Sequence, residues 1–255
     1  MTKIVALANQ KGGVGKTTTA INLGASVAAC ERRVLLVDLD PQANATSGIG
    51  VTEAEPSMYD VLIESMPIRE IIRPTEIPTL FLAPSSVDLV GAEVELRDAI
   101  GREYYLKRVL EAVSADYDYI LIDSPPSLGL LTVNGLTAAN SVLVPLQAEY
   151  FALEGVSQLL ATIDRVKSAV NPSLDVEGIV LTMYDERMNL ARQVSEEVRG
   201  HFGEKVYKTV IPRNVRLSEA PSFGKPIILY DIRSRGSEAY VSLAREFIQR
   251  AENVI

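Results

Sequence analysis

The sequence predicts an α/β fold in one domain, a mostly parallel twisted sheet with helices on both faces. Short runs rich in Val, Ile and Leu recur along the chain without apolar–polar alternation, as strands buried on both faces do. The stretches between them are long enough for crossover helices. At 255 residues and 47% apolar composition, the chain can bury a sizeable core.

In order, the predicted strands are "KIVALAN" (3–9), "RVLLVDL" (33–39), "TLFLAPS" (79–85), "DYILIDS" (118–124), "NSVLVPL" (140–146) and "EGIVLTM" (177–183). Helices are predicted over 17–30, 101–115, 153–170 and 237–254. Residues 51–78 are the least regular and read as a helical excursion bearing loops. No repeat, low-complexity tract or Pro/Gly-rich linker interrupts the pattern.

Composition excludes several classes. The single cysteine, Cys30, rules out a disulfide framework and any multi-cysteine site from one chain, and fits a reduced, cytoplasmic setting. No apolar run approaches the ~20 residues of a membrane span, and "KIVALAN" is too short for a signal peptide, so no membrane partner is expected. A net charge of -8 argues against blanket attraction to polyanions but leaves room for a local basic face.

"NQKGGVGKTT" (9–18) lies between a predicted strand and a predicted helix, the setting of a phosphate-binding loop. Its glycines let backbone N–H groups converge on phosphate oxygens, and the helix N-terminus adds partial positive charge. Lys16 is placed to bridge β- and γ-phosphates, and Thr17 to offer its hydroxyl to Mg²⁺. The strict pattern has a glycine where this chain has Gln10, and an extra lysine, Lys11, follows. A magnesium nucleotide site also needs carboxylates on neighbouring strand ends. "LLVDLDPQ" supplies Asp38 and Asp40, two apart and so on one side of an extended chain, and "YILIDSPPS" supplies Asp123.

"KGGVGKTT" resembles the deviant Walker A motif of the ParA/MinD group of P-loop ATPases, whose signature is the early lysine. The resemblance extends through "VLLVDLDPQANATSGIG", "YDYILIDSPPSLGLLTVNGL", "VPLQAEYFALEG" and "TVIPRNVRLSEAPSFGKPIILYD", nearly the whole chain. It is most similar to the chromosomal ParA (Soj) subfamily, which lacks an N-terminal helix-turn-helix domain, so residues 1–255 are expected to form one ATPase domain. The resemblance implies that Lys11 reaches across a two-fold interface to the partner's nucleotide, giving an ATP-dependent homodimer. It implies that Lys11, Gly12, Gly13, Val14, Gly15, Lys16, Thr17 and Thr18 bind ATP, with Thr17, Asp40 and Asp123 around Mg²⁺. Asp40 matches the aspartate that positions the attacking water, Gly12 the close approach of the two subunits, and Pro212 with Asn214 the adenine pocket. Asn214 is expected to donate to and accept from the base edge. Glu154 is expected to pair with Lys11 when no partner subunit is present.

Residues 185–235 contain ten basic and seven acidic residues, +3 net, which leaves -11 for the rest of the chain. The resemblance places Arg187 and Arg216 where Soj-like proteins grip double-stranded DNA without sequence preference, and implies a nucleoid-associated location and a ParB-like centromere-binding partner that stimulates hydrolysis. The alternative is a MinD-like membrane-positioning ATPase, which should end in an amphipathic helix with a basic face. The last helix has Val241, Ala244, Ile248 and Ala251 at helical spacing but ends "RAENVI" without a basic cluster. A reductase like the nitrogenase iron protein needs two cysteines per subunit and is excluded, and nothing in the sequence marks the acceptor pocket of a metabolic kinase. His201 and Cys30 are read as surface and packing residues, and the pairs Tyr104–Tyr105 and Tyr150–Phe151 as core or interface aromatics rather than base-stacking platforms.

Overall fold

The computed structural model describes residues 2–149 and 152–252. The strands are β1 (Lys3–Leu7), β2 (Val34–Asp38), β3 (Arg73–Pro74), β4 (Leu80–Ala83), β5 (Tyr119–Asp123), β6 (Ser141–Gln147) and β7 (Asp175–Thr182). They form one seven-stranded sheet in the order β3-β4-β2-β5-β1-β6-β7. All pairs are parallel except β3 with β4. All six predicted strands are present.

The lack of alternation in these runs has a direct cause. Leu35, Val37, Ile120 and Ile122 face one core, while their neighbours Val34, Leu36 and Leu121 face a second core across the sheet. With β2 and β5 buried at every position, both faces demand apolar side chains. The first helix (Lys16–Ala28) and the last (Arg235–Glu252) pack together over one face. Helices Leu130–Ala138 and Ala152–Ala169 cover the other.

Several predicted elements need correction. The helix predicted over 101–115 is three pieces: a 3₁₀ turn at Arg102–Tyr104, an α-helix at Tyr105–Glu111 and a second 3₁₀ turn at Ser114–Asp116. The chain turns there ahead of β5, and the Asp118 N–H bonds the Arg33 carbonyl at 2.8 Å. The irregular segment 51–78 holds helices Met58–Leu62 and Ile68–Ile71 and the antiparallel edge strand β3. In the last helix the buried stripe is Tyr240, Leu243, Ala244 and Phe247, so the expected stripe starting at Val241 is one position out of register at its start. Tyr105 packs half-buried against the core. Tyr150 and Phe151 lie outside the described residues.

Candidate nucleotide site

The sheet brings the predicted site residues together because β1, β2 and β5 are neighbours. Asp38 pairs with Asp123 in register, and Asp123 pairs with Leu7, two residues before Asn9 and the glycine loop. The loop crosses the carboxyl ends of the strands next to the point where strand order reverses, the place where open α/β sheets bind ligands.

Gly13 (φ 75°) and Gly15 (φ 87°) hold left-handed backbone conformations that side chains disfavour. Gly15 begins the first helix with no side-chain cap, so the N–H groups of the first turn have no side-chain acceptor of their own. A second contact fixes the loop from the far side: the Thr182 hydroxyl at the end of β7 donates to the Val14 carbonyl at 2.7 Å. A cleft of about 330 Å³ opens above it, lined by Gly12, Gly13, Gly15, Lys16, Thr17, Thr18 and Asp40.

The two lysines sit in opposite environments. Lys16 is buried and lines the cleft. Burial lowers its pKa, and the nearby charges of Asp123 and Asp40 oppose that shift. Lys11 is absent from the cleft lining, its side chain is 52% exposed, and its ammonium is paired with Glu149. The partner expected from the sequence was Glu154, but that carboxylate instead lies one helical turn from Gln158, whose amide donates to it at 3.5 Å. Glu149 follows β6 directly, and the Asn9 amide anchors the start of the glycine loop to the β6 carbonyl of Pro145 at 2.7 Å, so the end of β6 is what the lysine meets.

The three aspartates also separate by role. Asp38 is fully buried and accepts from the Thr46 N–H at 2.8 Å, the Thr46 hydroxyl at 2.7 Å and the Asp40 N–H at 3.2 Å. Burial pushes its pKa up to about 6. It ties the loop after β2 to the sheet. Asp40 lines the cleft, with one oxygen accepting from the Gln42 N–H at 3.0 Å. Asp123 is completely buried, and neither carboxylate oxygen has a hydrogen-bond partner among the described residues. Burial, and then the charge of Asp38, raise its pKa well above the ordinary carboxylate range, against the opposing pull of the nearby Thr17 hydroxyl, which lies close without completing a well-formed hydrogen bond.

Those orphaned oxygens test the fit of a cation. Among the described residues no group of three or more His, Cys, Asp or Glu side chains could hold a metal unaided. Magnesium does not need one, because it favours oxygen donors and retains waters and substrate phosphates in its shell. The Thr17 hydroxyl, Asp123 and Asp40 are hard oxygen donors beside the phosphate cleft, and a hydrated Mg²⁺ would satisfy the Asp123 carboxylate that the protein leaves unpaired.

Pro212 and Asn214 line a cleft of about 520 Å³ that shares Gly15, Thr18 and Met183 with the phosphate cleft. The Asn214 side-chain oxygen already accepts from the Arg216 N–H at 2.8 Å, capping a short helix at Val215–Glu219. The expectation that this amide both donates and accepts at a base is therefore corrected in part, since its oxygen is engaged within the chain. Met183, which sequence reasoning passed over, lines both clefts with φ 49°, a strained backbone for a non-glycine residue. Its only sequence signal is its place at the end of an apolar strand.

Arg187 and Arg216 are on the surface but not free. Arg187 donates through Nε and a terminal nitrogen to both oxygens of Asp185, at 2.8 and 2.6 Å. That bidentate pair holds the Asp185 carboxyl at about 2. Arg216 pairs with Glu219 at 2.9 Å and Asp231 at 3.5 Å. The cleft beside Arg187 also contains Arg213 and Arg235, neither singled out by sequence. Arg216 does not line it. His201 is exposed and Cys30 is a half-buried free thiol.

Comparison with known proteins agrees with this construction. Residues 2–176 match the family model described as an AAA domain. The chain is 58% identical over 250 residues to the chromosome partitioning protein ParA of Myxococcus xanthus, covering 97% of this chain and 88% of that protein. It is 59% identical over 248 residues to the sporulation initiation inhibitor protein Soj of Bacillus subtilis, covering 96% and 98%. The chain belongs to the ParA/Soj family of chromosome-partitioning ATPases. The same fold occurs in cobyrinic acid a,c-diamide synthase of Mycobacterium smegmatis, solved with ADP and magnesium, at 39% identity and a TM-score of 0.87, covering 99% of this chain and 96% of that one. Members of the ParA/Soj family are P-loop ATPases, and the clefts above are where this chain has room for a nucleotide.

Proposed function

We propose that the chain is a nucleotide-gated DNA-partitioning switch. Two copies sandwich ATP and Mg²⁺, the dimer binds double-stranded DNA without sequence preference, and a ParB-like partner stimulates the hydrolysis that releases it. Within each copy the glycine loop and Lys16 hold the phosphates. Thr17 and Asp123 hold the magnesium, which supplies charge neutralisation for phosphoryl transfer. Pro212 and Asn214 line the base. Asp40 orients the attacking water, a task of positioning, since carboxylates as a class are weak bases at neutral pH and phosphoryl transfer depends mainly on geometry and charge.

The observation that carries this reading is the exposed position of Lys11. An ion pair between two half-exposed side chains stabilises by roughly 0.2–1 kcal/mol, so Glu149 is easily exchanged for the triphosphate of a second copy. Close approach there meets little steric resistance within the chain, because a Cβ at Gly12 would touch nothing within 4 Å. Arg187 and Arg216 supply the phosphate contacts to DNA, and pairing two copies doubles them on one rigid surface.

The high identity to partitioning proteins favours this reading over the membrane alternative, as does the last helix, whose apolar stripe is already buried against the first helix. Among the described residues no helix is long and apolar enough to cross a membrane. A cytoplasmic, nucleoid-associated location follows from the proposed DNA binding.

A mixing experiment tests the trans role of Lys11. Lys11→Ala chains keep a nucleotide pocket, and Lys16→Ala chains keep Lys11. Neither should dimerise with ATP alone in sedimentation, while the mixture should form heterodimers. A mixture that stays monomeric, with the wild type dimeric under the same conditions, overturns the sandwich.

A further inference from the structure

Thr182 is buried at the end of β7, and its hydroxyl donates to the Val14 carbonyl in the glycine loop at 2.7 Å. The sheet holds this residue from both sides. Thr182 pairs in register with Gln147 of β6, while on its other flank the Ile211 N–H donates to the Leu181 carbonyl at 2.8 Å and the Tyr184 N–H to the Ile211 carbonyl at 2.9 Å. The position of the hydroxyl is therefore set by the strand and not by the loop.

The loop itself is pinned at its ends. The Asn9 side chain accepts from the Lys11 N–H at 3.0 Å and donates to the Pro145 carbonyl at 2.7 Å, and the Gly15 carbonyl accepts from the Thr19 N–H at 2.9 Å. Between these anchors the peptide joining Val14 to Gly15 can turn over by opposed rotations of ψ at Val14 and φ at Gly15, which leave the chain path nearly unchanged. Glycine adopts positive and negative φ with similar ease, so the observed 87° at Gly15 does not enforce itself. A trans peptide is planar, and its C=O and N–H point in opposite directions. With the carbonyl held on Thr182, the Gly15 N–H is directed away from Thr182. Of the two clefts that Gly15 lines, Thr182 borders the base cleft and not the phosphate cleft. Turned over, the same peptide would present its carbonyl oxygen to the phosphates in place of a donor.

We propose that Thr182 is a positioning residue for the nucleotide, its hydroxyl locking the Val14 to Gly15 peptide with the N–H toward the phosphates. The inference rests on the reading that the glycine loop holds those phosphates. Without the hydroxyl, the competent orientation is only fractionally populated, and apparent affinity falls by that fraction. Because the hydroxyl is spent on Val14, a ligand without phosphate is indifferent to its loss.

The test titrates the isotope-labelled full chain with ADP·Mg²⁺ by calorimetry and NMR, and with adenosine by following the methyl resonance of Met183, which lines the base cleft. Thr182→Val keeps the branched shape and removes the donor. It should weaken ADP·Mg²⁺ binding about tenfold, as expected when a buried carbonyl loses its partner, and leave adenosine affinity unchanged. Saturating ADP·Mg²⁺ should move the Gly15 amide resonance of the wild type, whereas in the free Thr182→Val chain that resonance should broaden or double as the peptide exchanges between two orientations. Thr182→Ser restores the donor and should bind ADP·Mg²⁺ within about twofold of the wild type. Should Thr182→Val prove unstable in thermal melts, Thr182→Ala, smaller and equally unable to donate, carries the same expectations. A loss of ADP·Mg²⁺ affinity matched by adenosine, or shared by Thr182→Ser, would make Thr182 a packing residue and overturn the inference. Wild-type affinity and a wild-type Gly15 shift in the valine variant would overturn it as well, while the phosphate-loop reading stands. If the wild type binds ADP·Mg²⁺ without moving the Gly15 resonance, the loop reading fails and carries the inference with it.

Discussion

The nucleotide cleft and the arginine face treat charge in opposite ways. In the cleft, Lys16 and Asp123 are buried, and Asp123 has no hydrogen-bond partner among the described residues. On the arginine face, Arg187 and Arg216 are exposed and each already holds a carboxylate of its own chain. A buried carboxyl without a well-formed hydrogen bond is costly and persists where a ligand will satisfy it. An exposed, paired charge costs little, and it can be recruited only by a ligand that outcompetes its partner. The cleft is built to be occupied, whereas the face is built to bind conditionally. That difference is what the proposed switch requires: tight nucleotide binding that gates weak, salt-sensitive DNA binding.

Asp40→Ala is the substitution that breaks the comparison most sharply. It should slow stimulated hydrolysis about 100-fold by misplacing the water, while nucleotide binding by equilibrium dialysis stays near the wild-type value. Equal loss of binding would make Asp40 a ligand-holding residue and not a positioning one.

Acidity should loosen the cleft, because a proton competes with magnesium for the buried Asp123 carboxylate, whose pKa burial raises. The sign follows from the direction of the shifts. Asp38, at about 6, and Asp123, raised well above the ordinary carboxylate range, bind protons more readily in the folded chain than in the unfolded one. The ligand-free chain therefore gains stability as pH falls from 7 toward 5, and loses it as pH rises through that window. Stabilisation by Mg·ATP in thermal melts should run the other way, largest at neutral pH and shrinking as pH falls. A magnesium effect independent of pH would show that Asp123 is not the group the cation engages.

Asp185→Asn should give the smallest effect. It removes the carboxylate that Arg187 grips, so DNA affinity should rise about two- to threefold at low salt. An unchanged affinity would show that this arginine is not held back by its own acid.

The fold was legible because each buried strand had to be apolar on both faces, leaving unbroken runs such as "VLLVD" and "YILID". The edge strand β3 was not, because two residues, one of them Pro74, carry no periodicity. The cleft residues were legible as well, since glycine, lysine and aspartate at strand ends carry their chemistry in their identities. Partners were not. Glu149 rather than Glu154 meets Lys11 because the end of β6 sets the position, and spacing along the chain does not reveal it. The pairing of Arg187 with Asp185 and the capping role of Asn214 are likewise properties of loop geometry, invisible to counts of charge.

The central claim is that nucleotide state gates DNA binding. It is tested most directly by equilibrium binding of a non-specific duplex with ATP, ADP and no nucleotide across a salt series, for the wild type and for Arg187→Ala with Arg216→Ala. The account predicts binding in the ATP state alone, with a steep slope of log affinity against log salt. The double substitution should reduce that slope by about 0.9 for each DNA phosphate that is no longer neutralised. Equal binding in all three states, or no binding in any state at low salt, would contradict it.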